Sequence, residues 1–161
     1  MALMNIQDYL IDQNEKDWSE LLSGWSDVLP LSFTLWLVNR FGDVFTVFED
    51  GSVHMLDLGV GVIKRVADNR DHFAIQLDEE ENASNWFMIQ LVDGCVAAGL
   101  KLEPNQCYGY KIPPILGGKY TIENVVPLNL SEHYSFLAGI YRQTKALADG
   151  TSVKMKIVMP E

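Results

Sequence analysis

The chain has few of the residues from which reactive centres are usually made. Its 161 residues include two cysteines, Cys95 and Cys107, and three histidines, His54, His72 and His133. The cysteines form no C-x-x-C pair. No histidine has a second histidine or a carboxylate at metal-ligand spacing, so neither a metal site nor a disulfide framework nor a cofactor is expected. G-x-S-x-G, H-E-x-x-H and the P-loop pattern are all missing. Positive charge is also scarce, with 12 basic against 22 acidic side chains and a net charge of -10. Such a chain repels phosphate backbones, which argues against nucleic acid, and favours encounter with a basic protein. Long apolar runs are absent too. "VLPLSFTLWLV" (28–38) is interrupted by Pro30 and has about half of the roughly 20 residues that a membrane span needs. The first twelve residues lack both a basic start and a long apolar segment, so no signal peptide is read there. No membrane association and a cytoplasmic location are the expectation.

Apolar residues make up 48 % of the chain and aromatics 11 %, enough to build a core. With no repeat, low-complexity tract or linker, residues 1–161 are expected to form a single domain. The element order predicts an α+β fold, a mostly antiparallel sheet flanked by N-terminal, central and C-terminal helices. Short helices are predicted at 5–12, with Asn5 as N-cap, and at 17–25, ending near Gly24. In 31–41, Leu31, Leu35 and Val38 have helical spacing, while the β-branched and aromatic residues leave a strand open. Asp50-Gly51 between two apolar runs predicts a tight hairpin, and 61–67 a further strand. Helices follow at 68–81 and 85–99, the second capped by Ser84 and stopped at Gly99. Strands are expected at 106–112 and 121–130. The clearest helix, 132–147, begins after Ser131 and carries Tyr134, Leu137, Ile140, Tyr141 and Leu147 on one face. A half-exposed strand is predicted at 151–158.

Candidate functional residues fall in two stretches. Asp78, Glu79, Glu80 and Glu81 form a run of four carboxylates, either a solvated helix end or an acidic patch that meets a basic protein surface. "YKIPPILGGKYTIENV" (110–125) is too apolar for an ordinary loop and too broken for one strand or helix. It reads as a rigid corner in which Pro113 and Pro114 hold the chain extended and Gly117-Gly118 permit reversal. Ile115 and Leu116 would then tuck under the sheet edge. Alternatively the corner presents Ile115, Leu116 and Tyr120 to a partner. The glycines of "LGVGVI" (58–63) lack the third glycine of a dinucleotide fingerprint and read as a turn or bulge. An enzyme with a scattered site, using Cys107 or His133 beside a carboxylate, stays open as an alternative.

Phe41-Gly42, Asp50-Gly51, Leu56-Asp57, Gly59 and Gly61 occur in that order, followed by Tyr108, Tyr110, Pro114 through Gly118, Asn124 and Tyr134. This order resembles the C-terminal domain of type VI secretion immunity proteins that protect against a DNase effector, a family related to SUKH-type immunity proteins. The resemblance implies a SUKH-like sheet flanked by helices. It also implies a non-enzymatic protein that binds and neutralises a cognate basic toxin of the nuclease type. It assigns no individual inhibitory residue.

Overall fold

Apolar residues on both faces of one sheet set the architecture. The computed structural model describes residues 5–147; the strand expected at 151–158 lies outside the described residues. Strands β1 (Phe33–Val38), β2 (Val44–Phe48), β3 (Val53–Asp57) and β4 (Val62–Ala67) form an antiparallel sheet in chain order. Strands β5 (Gln106–Tyr110) and β6 (Val125–Asn129) form a separate antiparallel ribbon. The helices are α1 (Trp18–Leu21), α2 (Arg70–Leu77), α3 (Asn82–Trp86), α4 (Ile89–Ala97) and α5 (Leu130–Thr144). The expected α+β class is observed. No helix among the described residues is long and apolar enough to cross a membrane.

Each sheet face buries its own cluster. Val38, Val44 and Leu56 pack with Trp25 and with Tyr134 and Leu137 of α5. Phe45, Val53 and Met55 pack on the other side with Phe73 of α2 and with Trp86 and Phe87 at the end of α3. A third cluster joins the ribbon to α4, through Phe41, Tyr108 and Tyr110 against Val92 and Cys95. Burial of this apolar surface is the main favourable term holding the layers together.

The 39–43 loop, between β1 and β2, links these clusters. Asn39 is fully buried and uses its whole side-chain amide. Its Oδ1 accepts from the backbone N–H groups of Phe41 and Asp43, both at 3.0 Å. Its Nδ2 donates to Asp43 Oδ2 at 3.0 Å and to the Trp86 carbonyl at 2.9 Å. Asp43 Oδ1 accepts from Leu58 N–H at 2.9 Å, just beyond β3. From the other side, His133 Nε2 reaches the Phe41 carbonyl at 3.0 Å, and the Tyr134 hydroxyl donates to the Gly42 carbonyl at 2.7 Å. Because the carbonyl can only accept, His133 carries its proton on Nε2.

Several local expectations are corrected. Within the 31–41 segment, Phe33–Val38 is the strand that its β-branched and aromatic residues left open. A bulge between Leu35 and Leu37 breaks its alternation, so Leu35 and Val38 share one cluster while Trp36 and Leu37 join the other, which imitates helical spacing. The hairpin after β2 has a three-residue loop closed by Phe48 N–H to Ser52 O at 2.9 Å, with Gly51 at φ +86° completing it as a bulged turn. The 5–12 helix is a single 3₁₀ turn, Ile6–Tyr9, capped by Asn5 as expected. In place of the 17–25 helix there are α1 and a 3₁₀ turn, Ser23–Trp25. Helix 68–81 ends at Leu77. The 85–99 helix is two helices broken at Met88, which sits at φ +51°, and Ser84 makes no cap. Helix α5 is capped by Asn129, two residues before the expected Ser131, and ends at Thr144. The 58–63 glycines do lie in the turn between β3 and β4, with Gly61 N–H bonded to Asp57 O at 2.9 Å.

Two outcomes follow. Asn39→Leu strands the Asp43 carboxylate, the Trp86 carbonyl and two backbone donors, so urea denaturation should show a loss of about 3 kcal/mol or more. Burial lowers the His133 pKa from the ordinary 6.5 to about 4, against the smaller opposing effect of its bond to Phe41. A depressed folded pKa gives stability that is present above 6.5 and lost as pH falls to about 4. Relative to His133→Gln, the wild type should therefore lose roughly 3 kcal/mol across that window, read by denaturation at stepped pH.

Candidate functional site

The corner between β5 and β6 is a built structure. After β5, Pro113 is extended at φ -59°, ψ 144°, and Pro114 opens a 3₁₀ turn, Pro114–Leu116. Ile115 N–H donates to the Gly59 carbonyl at 3.0 Å, which docks the corner on the β3–β4 turn. A second 3₁₀ turn, Ile122–Asn124, leads into β6. Asn124 clasps the two limbs. Its Oδ1 accepts from Ile112 N–H at 2.9 Å, and its Nδ2 donates to the carbonyls of Ile112 and Lys119, each at 2.9 Å. Gly118 lies inside the clasp, where a Cβ would overlap the Ile112 carbonyl oxygen. The rigid-corner reading of 110–120 is the observed one, with differences in detail. The strands end at Tyr110 and resume at Val125, so Tyr120 and Ile122 stay outside them and exposed. Ile115 and Leu116 are half-buried.

Beside this corner lies a cleft of about 610 Å³. Asp43 and Asp57 form its acidic depth, from the start of β2 and the end of β3. Glu81, Ser84 and Asn85 line it from the α2–α3 connection and α3, Gln90 and Leu91 from α4, and Tyr120, Thr121 and Ile122 from the corner. Met55 and Met88 supply apolar wall. Burial pushes the Asp43 carboxyl well above the usual carboxylate range and the Asp57 charge adds to it, while the bonds from Asn39 and Leu58 oppose. Asp57 is raised by burial as well, opposed by backbone donors of Gly59 and Val60 and by Lys64. The Tyr120 phenol is pushed up to about 12 by burial and by the charges of Asp57 and Asp43. All three shifts disfavour further negative charge in the cleft, and a cation there would relieve them.

The structure brings together only part of what the sequence singled out. Glu81 and Tyr120, 39 positions apart in the chain, line the same cleft. Asp78, Glu79 and Glu80 are exposed on the connection after α2, with Glu80 at φ +47°, and do not line it. Asp43 and Asp57 were not among the acidic candidates. Isolated carboxylates give no charge-run signal, and only the sheet register places them together.

Neither residue suggested for a scattered catalytic site is open to solvent. Cys107 is fully buried, and burial raises its thiol far above the range where a thiolate forms. His133 is buried and its Nε2 is held by the Phe41 carbonyl. His54 stacks on Phe48 at 3.8 Å, and His72 faces Asp68 and Gln76 at the surface. No histidine lines the cleft. Among the described residues no group of three or more histidine, cysteine or acidic side chains could hold a metal ion.

An α+β domain with an acidic, histidine-free cleft is what the geometry defines. Residues 67–141 match the family described as T6SS immunity protein Tdi1, C-terminal. This is the family that the sequence resembles, and the match spans the later group of resembling residues, from Tyr108 to Tyr134. No curated protein matches the chain. The chain is also similar to the crystal structure of Atu4351 from Agrobacterium tumefaciens, with 19 % identity and a TM-score of 0.49. That likeness covers 74 % of this chain and 60 % of the other, and carries no argument about function.

The clasp generates a direct test. Gly118→Ala forces the Ile112 carbonyl or the Asn124 amide to move, so it should cost about 2 kcal/mol or more in denaturation. Amide exchange should quicken at Ile112 and Asn124 while the β1–β4 sheet keeps its protection.

Proposed function

We propose that this protein is an immunity protein that binds and neutralises a cognate toxin, and does so without catalysis. The match of residues 67–141 to a T6SS immunity family carries this reading. The net charge of -10 and the acidic cleft support a basic partner of the nuclease type. The binding face is the cleft and its rim. Asp78, Glu79, Glu80 and Glu81 supply the negative field on one side. Ile115, Leu116 and Tyr120 supply apolar contact on the other, with Tyr120 half-exposed and next to Lys119, whose carbonyl the clasp holds. A lysine or arginine of the toxin would enter between them and face Asp57 and Asp43. Rim charges would chiefly speed encounter, and the desolvated carboxylates in the cleft would slow dissociation. The protein acts in the cytoplasm, where it would meet a toxin delivered into the cell.

Affinity capture from a lysate of the source organism, followed by titration of the captured protein, tests this. A stoichiometric basic toxin that loses activity on binding is the expected result. Glu81→Lys combined with Tyr120→Ala should lower affinity at least tenfold, a loss of about 1.4 kcal/mol, without changing stability. Undiminished affinity would remove the cleft as the binding face. A captured partner with no toxic activity would overturn the immunity role itself.

A further inference from the structure

Asp43 and Asp57 are neighbours across the sheet. Val44 of β2 pairs with Leu56 of β3, so the next cross-strand positions are Asp43, just before β2, and Asp57, the last residue of β3. Both line the acidic cleft. Neither takes part in any of the three ion pairs among the described residues. Asp43 is 4 % exposed, and its two oxygens accept from Asn39 Nδ2 and Leu58 N–H. Asp57 is half-buried and open to the cleft, and its Oδ1 accepts from Gly59 N–H at 3.1 Å. Two adjacent carboxyls, poorly hydrated and bonded to no cation, do not both ionise readily.

The groups that face the pair leave it uncompensated. Lys64, on β4, favours the ionised form of Asp57, but burial outweighs it. Cys107 and Tyr110 face the pair from β5, Tyr120 from the corner and Tyr134 from α5, and burial raises all four so that they stay uncharged at neutral pH. His133 of α5 packs on the same 39–43 loop, and burial keeps it uncharged above about 4. Glu81 at the rim adds a further carboxylate. In such a site one proton is retained, and it belongs to the pair rather than to either residue.

We propose that the Asp43–Asp57 pair keeps one proton in the free protein at neutral pH and releases it to solvent when a basic side chain of the partner enters the cleft. The exchange rests on the proposed role of the cleft as the binding face, and it makes partner affinity rise with pH. While the pair is singly charged the entering cation must displace the proton. Affinity therefore gains up to about tenfold per pH unit, and levels off where the pair loses its proton unaided. An acidic surface of ordinary carboxylates is fully ionised above about pH 6 and would give no such rise.

The experiment follows the Asp43 and Asp57 carboxyl carbons by NMR in the full chain, labelled with ¹³C-aspartate, from about pH 3 to about pH 9. Sodium chloride, n-butylammonium chloride and ethylguanidinium chloride are compared at equal ionic strength. In sodium chloride the last proton should leave the pair only above neutral pH. An organic cation should lower that midpoint by about 0.3 pH unit or more, the shift for half-occupancy of the doubly ionised pair. The stronger of the two names the partner side chain as lysine or arginine. Asp57→Asn, whose amide oxygen can still accept from Gly59 N–H, should lower the Asp43 midpoint. Two carboxyls that both titrate at about 4 overturn the retained proton. A raised midpoint that is the same in all three salts overturns the exchange, and so does an Asp43 midpoint unmoved by Asp57→Asn. These readouts use the free chain, so they can fail or succeed whatever becomes of the immunity reading. In the toxin complex, calorimetry in two buffers of different protonation enthalpy should find about one proton released per toxin bound at neutral pH. No proton released, with affinity still lost in Glu81→Lys combined with Tyr120→Ala, overturns the exchange and leaves the cleft as the binding face.

Discussion

The amide–carboxylate pair of Asn39 and Asp43 is the constraint on which the other parts rest. Asn39 turns the chain between β1 and β2, and its amide also holds the last carbonyl of α3. Asp43 ties that turn to the residue after β3. On the opposite side, two successive residues of α5 bond to the Phe41 and Gly42 carbonyls. One short loop thus fixes the sheet, the helix layer on each face and the direction of the ribbon. Such a buried network specifies one arrangement because every donor and acceptor of the Asn39 amide is taken up by a fixed partner. The same pair sets the chemistry of the cleft. Asp43 is held at its base by structural bonds, where burial and the Asp57 charge disfavour its ionised form and a cation beside the pair would relieve that.

The two halves of the cleft rim differ in how they are made. The acidic side is a helix connection bent by Glu80. The apolar side is a corner with no strand or helix of its own beyond two short 3₁₀ turns. It owes its shape to Asn124, whose side chain replaces the backbone ladder that the prolines and glycines interrupt. A rigid loop loses little entropy when a partner docks, which makes an exposed tyrosine such as Tyr120 more effective there than on a mobile segment. On the proposed function, the clasp would link the stability of the fold to partner binding.

Much of this was legible in the sequence where the cause is local. Asp50-Gly51, the stop at Gly99 and the α5 stripe from Tyr134 to Tyr141 each depend on residues within a few positions of one another, whereas Leu147, also expected on that stripe, is exposed beyond the helix end. The proline and glycine pattern of 110–120 also announced its corner. Elements shaped by tertiary contacts were less legible. Strand β1 packs apolar residues against a cluster on each face and carries a bulge, so those residues follow no period of two. Met88 breaks a helix although nothing in its own chemistry requires it, directly after the buried Trp86 and Phe87. Ser131 was the conventional cap for α5, yet Asn129 reaches two backbone donors from where the strand ends. Asn39 and Asp43 drew no notice because a lone amide and a lone acid look like loop solvation until both are seen buried. That Glu81 and Tyr120 line one cleft could not be read from positions 39 apart.

The central claim is that the cleft and corner form the toxin-binding face. Hydrogen–deuterium exchange of the protein, free and in its toxin complex, tests it most directly. The account predicts slowed exchange in the complex across 78–91 and 112–124, with α1 and the outer face of α5 unchanged. Protection confined to α1 and α5, with the cleft and corner exchanging as in the free protein, would contradict it.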